Sequence, residues 1–334
     1  MPEMRYNPIT LDWVIMAPER ELRPSDFPAE LPNREERPAH REGCPFCVGN
    51  EHSAPPEICR ASAADGSWTV RVIPNKFSVF ATTDDLCRVA NGTFRSMAAA
   101  GSHEVVVEHP NHSLSLEDMT PAHLAVILGI FRERYQALRQ NPNVESIVIF
   151  KNHGQRAGSS LTHSHSQITA APILSSQVCM RLQEARRFHE LNGGCLYCQV
   201  IQDELLAQER IIEAGSSFVA FAPYASLSPY HLWIFPRRHA SSFDAISDED
   251  IVELAGVLSR VLRRLAKAAG GPDYNFTIRS SPVSECSTQY FHWYLAIVPR
   301  MNQLAGFELG SGTYINNLCP ERCAERLRSV VVES

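Results

Sequence analysis

The apolar residues of this 334-residue chain fall into short β-branched runs and long helical stripes, and both recur in the same order in its two halves. In the first half, Glu104 to Glu108 reads as a strand that leads into Pro110-Asn111-His112. Thr120 is a good N-cap and Pro121 a good first helical residue. Leu124, Ile127, Leu128, Phe131 and Tyr135 then recur on one helical face. A strand over Ser146 to Phe150 follows, and after it a histidine-rich run around His163. The second half repeats this sequence of elements. Leu232 to Phe235 leads into Pro236-Arg237-Arg238-His239, and Ser247 caps a helix from about Asp248 to Ala269 that stops at Gly270-Gly271. A strand over Tyr274 to Ile278 precedes His292 and the apolar run to Val298. Helices packed on antiparallel sheet follow from such a unit, so the expected class is α+β with an internal duplication. The break falls near residue 175, giving units 1–175 and 176–334, with a linking helix over Ser175 to Leu191. The stretch from Arg20 to Gly43, rich in Pro, Arg and Glu, reads as an extended arm.

Cysteines sharpen the duplication. Cys44-Pro45-Phe46-Cys47 and Cys195-Leu196-Tyr197-Cys198 are the same motif used twice. His112 stands 51 residues before His163, and His239 stands 53 before His292. Each half therefore reads as one closed site of two cysteines and two histidines, suited to a structural zinc ion. His109 and His231 are the rival ligands, ranked lower because His112 and His239 share a place relative to the helix that follows. A redox role for the Cys-x-x-Cys pairs is the competing reading, and the downstream histidines argue against it. Ten cysteines in this pattern point to a reducing, cytoplasmic setting rather than to a disulfide framework.

Composition excludes several classes. A hydrophobic content of 44% with 20% charged residues suits a soluble globular protein. The net charge of −6, with no long basic block, argues against nucleic acid as a partner. No apolar run approaches membrane-spanning length, and the polar start at Met1 does not read as a signal peptide.

The first half carries one feature that the second lacks. In Leu161-Thr162-His163-Ser164-His165-Ser166-Gln167, residues 163, 165 and 167 would share one face of an extended segment. With His163 bound to metal, His165 would be held in place as a nucleophile or general base. Gln167 offers an amide to a phosphoryl oxygen. Upstream, the loop from Asn152 to Ser160 supplies backbone N–H groups and the Ser159 and Ser160 hydroxyls to a phosphate. The alternatives for His165 are a structural role or a third metal ligand. The second half, with Tyr294 at the matching place, weakens both, because the metal set there does without that position.

These residues resemble the galactose-1-phosphate uridylyltransferase family of the histidine-triad superfamily, on the side of its ADP-glucose phosphorylase branch. The likeness runs from Arg5-Tyr6-Asn7-Pro8 through Cys44 to Cys47, Pro74-Asn75-Lys76-Phe77, Asn152-His153-Gly154 and the His163 run to Gly306-Phe307-Glu308. It implies two tandem histidine-triad-like domains. His165 would take a nucleoside monophosphate covalently. Asn152, Ser159, Ser160 and Gln167 match phosphate contacts, Arg20 and Arg23 an arginine pair near the diphosphate, and Asn75 a nucleotide-side loop. Phe307 and Glu308 match a hexose-binding segment that the partner subunit of a homodimer supplies. The last motif position being Gln rather than His is, by this resemblance, a mark of transferases over hydrolases. Two departures stand out: Ser164 where uridylyltransferases usually carry Pro, and Tyr314 where they often carry Gln.

The first expectation is a nucleotidylyltransferase that moves a nucleoside monophosphate from an NDP-hexose to a hexose 1-phosphate. The alternative acceptor is inorganic phosphate, with ADP-glucose as donor. A non-catalytic zinc-stabilised binding module accounts for the cysteines but not for His165, Gln167 and the loop together.

Overall fold

The computed structural model describes residues 1–22, 37–83 and 85–332. Its strands are β1 (Glu3–Tyr6), β2 (Trp13–Met16), β3 (Cys59–Ser62), β4 (Trp68–Pro74), β5 (Arg88–Asn91), β6 (Phe94–Met97), β7 (Ser102–Val107), β8 (Ser146–His153), β9 (His165–Ala171), β10 (Ile211–Ala214), β11 (Phe218–Phe221), β12 (Leu232–Pro236), β13 (Tyr274–Arg279), β14 (Tyr294–Pro299) and β15 (Tyr314–Asn316). The helices are α1 (Pro121–Leu138), α2 (Ser176–Asn192), α3 (Leu196–Ala207), α4 (Asp248–Ala269), α5 (Gly306–Ser311) and α6 (Pro320–Ser329). The class is α+β, as the alternation of elements predicts.

Local chemistry sets the helix ends. The Thr120 hydroxyl accepts the His123 amide at the start of α1, and Ser247 accepts the Asp250 amide at the start of α4. Asp248, Glu249 and Asp250 place negative charge on the first turn of α4, and Gly270 ends it in the left-handed conformation at φ 71°. These ends coincide with those read from the sequence, because a cap is a contact between residues only a few positions apart.

Ten strands form one antiparallel sheet in the order β10-β11-β12-β14-β13-β8-β9-β7-β4-β3. Its middle is the pairing of β8 with β13, Ile278 opposite Ile149 and Tyr274 opposite His153. Counting outward from this seam, β9 and β14, then β7 and β12, then β4 and β11 take matching places on the two sides. The chain therefore crosses residue 175 without interrupting the sheet. β1, β2 and β15 make a small separate sheet.

Strand residues alternate between two faces. One face, including Val106, Ile149, Ile168, Ile234, Phe276, Ile278 and Leu295, packs on α1 and α4 in the main core. The other face is covered at its two ends only. Cys44, Phe46 and Cys47 pack on Ile73, Val105 and Val107 at one end, and α2 and α3 pack on Phe221, Trp233, Phe235 and Tyr294 at the other. Between them Val148, Phe150, Gln167 and Thr277 stay partly or fully exposed. His165 and Gln167 stand on this second face. Among the described residues no helix is long and apolar enough to cross a membrane.

Candidate active site

The two expected ligand quartets each converge. The ligand atoms of Cys44, Cys47, His112 and His163 lie within 4.8 Å of one another, as do those of Cys195, Cys198, His239 and His292. His109 and His231 lie outside both clusters; their Nδ1 atoms accept the Asn111 and Leu227 amides instead. The spacing allows a test of fit. A tetrahedral ion with bonds of about 2.3 Å to sulfur and about 2.05 Å to nitrogen sets S···N edges of about 3.6 Å. The thiol–imidazole pairs measure 3.5 Å (Cys44–His163), 3.4 Å (Cys47–His112) and 3.6 Å (Cys47–His163) in the first cluster. In the second they measure 3.4 Å (Cys198–His239) and 3.5 Å (Cys198–His292). In all of these pairs the histidine presents Nδ1. The opposite nitrogen is anchored by Thr162 Oγ1 at His112, by the His109 carbonyl at His163 and by the Thr288 carbonyl at His239, the outer contacts that orient metal-bound imidazoles. Both clusters could hold a tetrahedral metal ion.

His163 lies just before β9, and its ring nitrogen turns to the cysteines rather than to the groove. His165 and Gln167 stand on β9 itself, while His163 belongs to the wall of the polar cavity with its ring nitrogens engaged by the cysteines and the His109 carbonyl. Phe46, between the first two cysteines, packs on both rings, with centroids 6.0 Å from His163 and 5.4 Å from His165. The first Cys/His cluster and the candidate nucleophile are one packed unit.

His165 is 7% exposed. Its Nδ1 lies 2.8 Å from the His163 carbonyl. A carbonyl only accepts, so Nδ1 carries the proton and Nε2 keeps its lone pair. Burial lowers the pKa of this imidazole and the Lys151 charge lowers it further, against smaller opposing effects of the His163 carbonyl and Glu108. A neutral ring with a free Nε2 is the nucleophilic form.

Sequence reasoning missed the group beneath it. Glu108 and Lys151 are fully buried and ion-paired. Lys151 Nζ donates to Ser164 Oγ and to the His165 carbonyl, both at 3.0 Å. The Ser164 and Ser166 hydroxyls donate to the Glu108 carboxylate. Burial alone would raise the Glu108 pKa; the Lys151 charge and the two hydroxyls outweigh it and hold the carboxyl below its usual value. The network grips the residues on either side of His165 and its own carbonyl, and so fixes the strand that presents the imidazole. A usable signal was present: Lys151 continues the buried alternation of Ile147 and Ile149, where a charge requires a partner.

Two cavities meet at His165, sharing Ser160, Leu161 and His165 in their walls. One, of ≈ 760 Å³, is polar and includes Lys151, Asn152, Gly154, Arg156 and Ser159. The other, of ≈ 530 Å³, is flanked by Pro45, Phe46, Pro55, Ile73 and Phe77, with Asn75 and Gln167 as its amides. Gln167 Oε1 accepts from His103 Nε2 at 2.8 Å and from Asn75 Nδ2 at 3.4 Å, leaving its own amide nitrogen for a ligand.

The loop after β8 is held from the second half. Asn275 Nδ2 donates to Asn152 Oδ1 and to the Ala157 carbonyl, both at 2.9 Å. Asp273 accepts the Arg156 amide at 2.7 Å. Gly154 has φ 84°, and a Cβ there would stand 1.9 Å from Asp273 Oδ1, so only glycine fits. The Ser159 hydroxyl donates to the Leu161 carbonyl and is used within the loop. Ser160 faces both cavities.

The remaining expected residues lie elsewhere in this chain. Arg20 is exposed and lines neither cavity. Arg23 lies outside the described residues. Phe307 and Glu308 sit on α5, away from both cavities, where Glu308 accepts the Ala305 amide at 3.0 Å.

A family model described as the N-terminal domain of galactose-1-phosphate uridyl transferase matches residues 1–175, and one described as a domain of unknown function matches 96–333. This chain belongs to the galactose-1-phosphate uridyl transferase family. Over 98% of its length it is 37% identical to an ADP-glucose phosphorylase of Arabidopsis thaliana, covering 93% of that protein. It is 28% identical to a galactose-1-phosphate uridylyltransferase of Thermotoga maritima over the whole of both chains. A crystal structure of the Arabidopsis thaliana ADP-glucose phosphorylase with bound ADP-glucose superposes with a TM-score of 0.85 at 34% identity and full coverage of both chains. A solved uridylyltransferase superposes at 0.74 with 27% identity, covering 98% of each chain. The family is one of nucleotidyltransferases, and the chain is an enzyme of that class.

Proposed function

We propose that His165 carries a nucleoside monophosphate between a nucleotide sugar and a phosphate-bearing acceptor. The observation that carries this reading is the neutral imidazole, Nδ1 fixed to the His163 carbonyl, at the junction of a polar and an apolar cavity. The apolar cavity suits a nucleoside base and ribose, and the polar one a phosphate chain and hexose. Nε2 attacks the α-phosphorus of an NDP-hexose. The bond from phosphorus to the bridging oxygen breaks, and hexose 1-phosphate leaves. An acceptor phosphate oxygen then attacks the same phosphorus, the P–N bond breaks, and His165 is restored. Backbone N–H groups of the Asn152–Ser160 loop, with Ser160, Asn152 and Gln167, stabilise charge on the phosphoryl oxygens.

The metal in each quartet is read as zinc, from the two-cysteine, two-histidine donor set and its tetrahedral spacing. With four protein ligands it supplies structure and no bound water. Arg20 and Arg23 are read as an arginine pair near the diphosphate, and Phe307 and Glu308, which line neither cavity within one chain, would act from a second copy in a homodimer. The two domains are read as 1–175 and 176–334, and the thiol-rich sites suit the cytoplasm.

The acceptor in the first reading is a hexose 1-phosphate, which returns a new NDP-hexose. A second reading takes inorganic phosphate as acceptor and ADP-glucose as donor, releasing ADP. It is favoured by the higher identity to the ADP-glucose phosphorylase, 37% against 28%. A donor panel of UDP-glucose, ADP-glucose and GDP-sugars, each offered phosphate or a hexose 1-phosphate, separates the two by product. An acid-labile, base-stable nucleotidyl-histidine is expected with the true donor. No labelled protein with any donor would overturn the covalent reading.

A further inference from the structure

The strand β14 opens with Tyr294 where β9 opens with His165, and both strands follow a metal-ligating histidine by two residues. Tyr294 also faces a cavity. It measures ≈ 120 Å³, room for one small ion, and lies between α2 and the seam strands β8 and β13. In the first half the segment after β8 offers Ser159 and Ser160 to the catalytic cavity. In the second half the end of β13 and the residues after it offer Arg279, Ser280 and Ser281 to this one, and Arg181 joins them from α2.

The polar groups here are not satisfied from within. Ser281 is 3% exposed, yet its hydroxyl has no hydrogen-bond partner among the described residues, and neither has the buried Nε of Arg181. Such orphans are uncommon in a folded interior and mark a place where something else binds. Further along α2 the arginines are paired, Arg186 with Glu285 and Arg187 with Glu184. Among the described residues Arg181 and Arg279 have no carboxylate partner.

We propose that this cavity is a second anion site, built from Arg181, Arg279 and Ser281 in the non-catalytic half, and that it takes a phosphate-sized oxyanion. Two guanidiniums and a hydroxyl are the donor set for a tetrahedral oxyanion. The volume admits orthophosphate or the phosphoryl end of a phosphomonoester. It does not admit a nucleotide, and Tyr294 offers no nucleophilic nitrogen, so the site binds without transfer.

The test counts bound phosphate. Equilibrium dialysis with labelled orthophosphate is run on the wild-type chain and on Arg181→Gln/Arg279→Gln. The double variant should lose one phosphate equivalent per chain while His165 is still labelled at the wild-type rate by an NDP-sugar. Ser281→Ala, a milder change, should weaken the same binding several-fold, and Arg181→Lys/Arg279→Lys should restore part of it. A crystal soaked in selenate should show anomalous density beside Ser281. Glucose 1-phosphate competing for the same equivalent would assign the site to phosphomonoesters, and no competition would assign it to the free anion. Equal phosphate stoichiometry in wild type and double variant, or an empty cavity in the soaked crystal, would overturn the proposal. Failure of His165 labelling in every protein would instead strike the proposed function and leave this count intact.

Discussion

The two halves of the molecule each gather a quartet of two cysteines and two histidines at matching places, yet only one of them opens the residue two positions past its last histidine to a cavity on either side. In the first half His165 stands between two cavities, with a buried ion pair beneath its strand. In the second half Tyr294 packs between Phe235, at 4.8 Å and nearly stacked, and Trp233, at 5.3 Å. Tyr197, inside the second cysteine motif, takes the place that Phe46 has in the first and joins the same aromatic cluster. The metal scaffold and the active groove are thus separable. The same scaffold supports a groove where polar groups are paired below the strand, and a face where aromatics pack on the strand and leave only a small cavity.

Metal loss tests this separation most severely. The metals are expected at about two equivalents per chain, each contributing on the order of 10 kcal/mol of apparent binding energy to the fold. Cys44→Ala and Cys195→Ala should each lose one equivalent by elemental analysis. Cys44→Ala should also end transfer, because His163 and His165 share its packing. Cys195→Ala should lower the melting temperature while its folded fraction still labels at His165. If Cys195→Ala abolished labelling in folded protein, the two halves would not be separable.

His165→Gly comes next. It should lower kcat/KM by at least about 10³-fold, the scale of removing a nucleophile, with metal content unchanged because His165 is no ligand. Retained turnover would return His165 to a structural role.

The Glu108–Lys151 ion pair is the next test of the comparison. Glu108→Gln should cost about 3–5 kcal/mol, measured by urea unfolding, because it leaves Lys151 buried and unpaired. The sign of its pH effect follows from the depressed Glu108 pKa. The ionised carboxylate stabilises the fold above the unfolded value of about 4.3. That contribution is lost as pH falls through the lower folded value. The variant should lack this part of the acid limb, and an unchanged limb would mean that Glu108 does not hold the strand.

The smallest effect is expected on the other side. Tyr294→His puts the first half's residue into the second half's frame. It should destabilise by about 1–3 kcal/mol, the ordinary range for a polar change in a core, and should yield no second nucleotidyl-histidine. A second labelled site would show that the frame alone suffices for chemistry.

The sequence by itself determined which residues form the two Cys/His quartets, where the two long helices begin and where α4 ends, and that His165 is a histidine in excess of its quartet. Those features rest on short-range signals: a hydroxyl three residues before an amide, a Cys-x-x-Cys spacing, an alternation along one strand. Only the tertiary structure decided that the two halves join across β8 and β13 into one sheet, since strand pairing between residues more than a hundred positions apart leaves no local trace. It alone placed Glu108 against Lys151, 43 residues away, beneath the strand that carries His165. It also set Asp273 against Gly154, so that the second half shapes the loop after β8 in the first. His163 shows the same division: its place in the quartet is legible in the motif, but which ring nitrogen meets the cysteines follows from where they stand. A charge buried by one strand must be answered by another, and which strand answers is a property of the packed sheet.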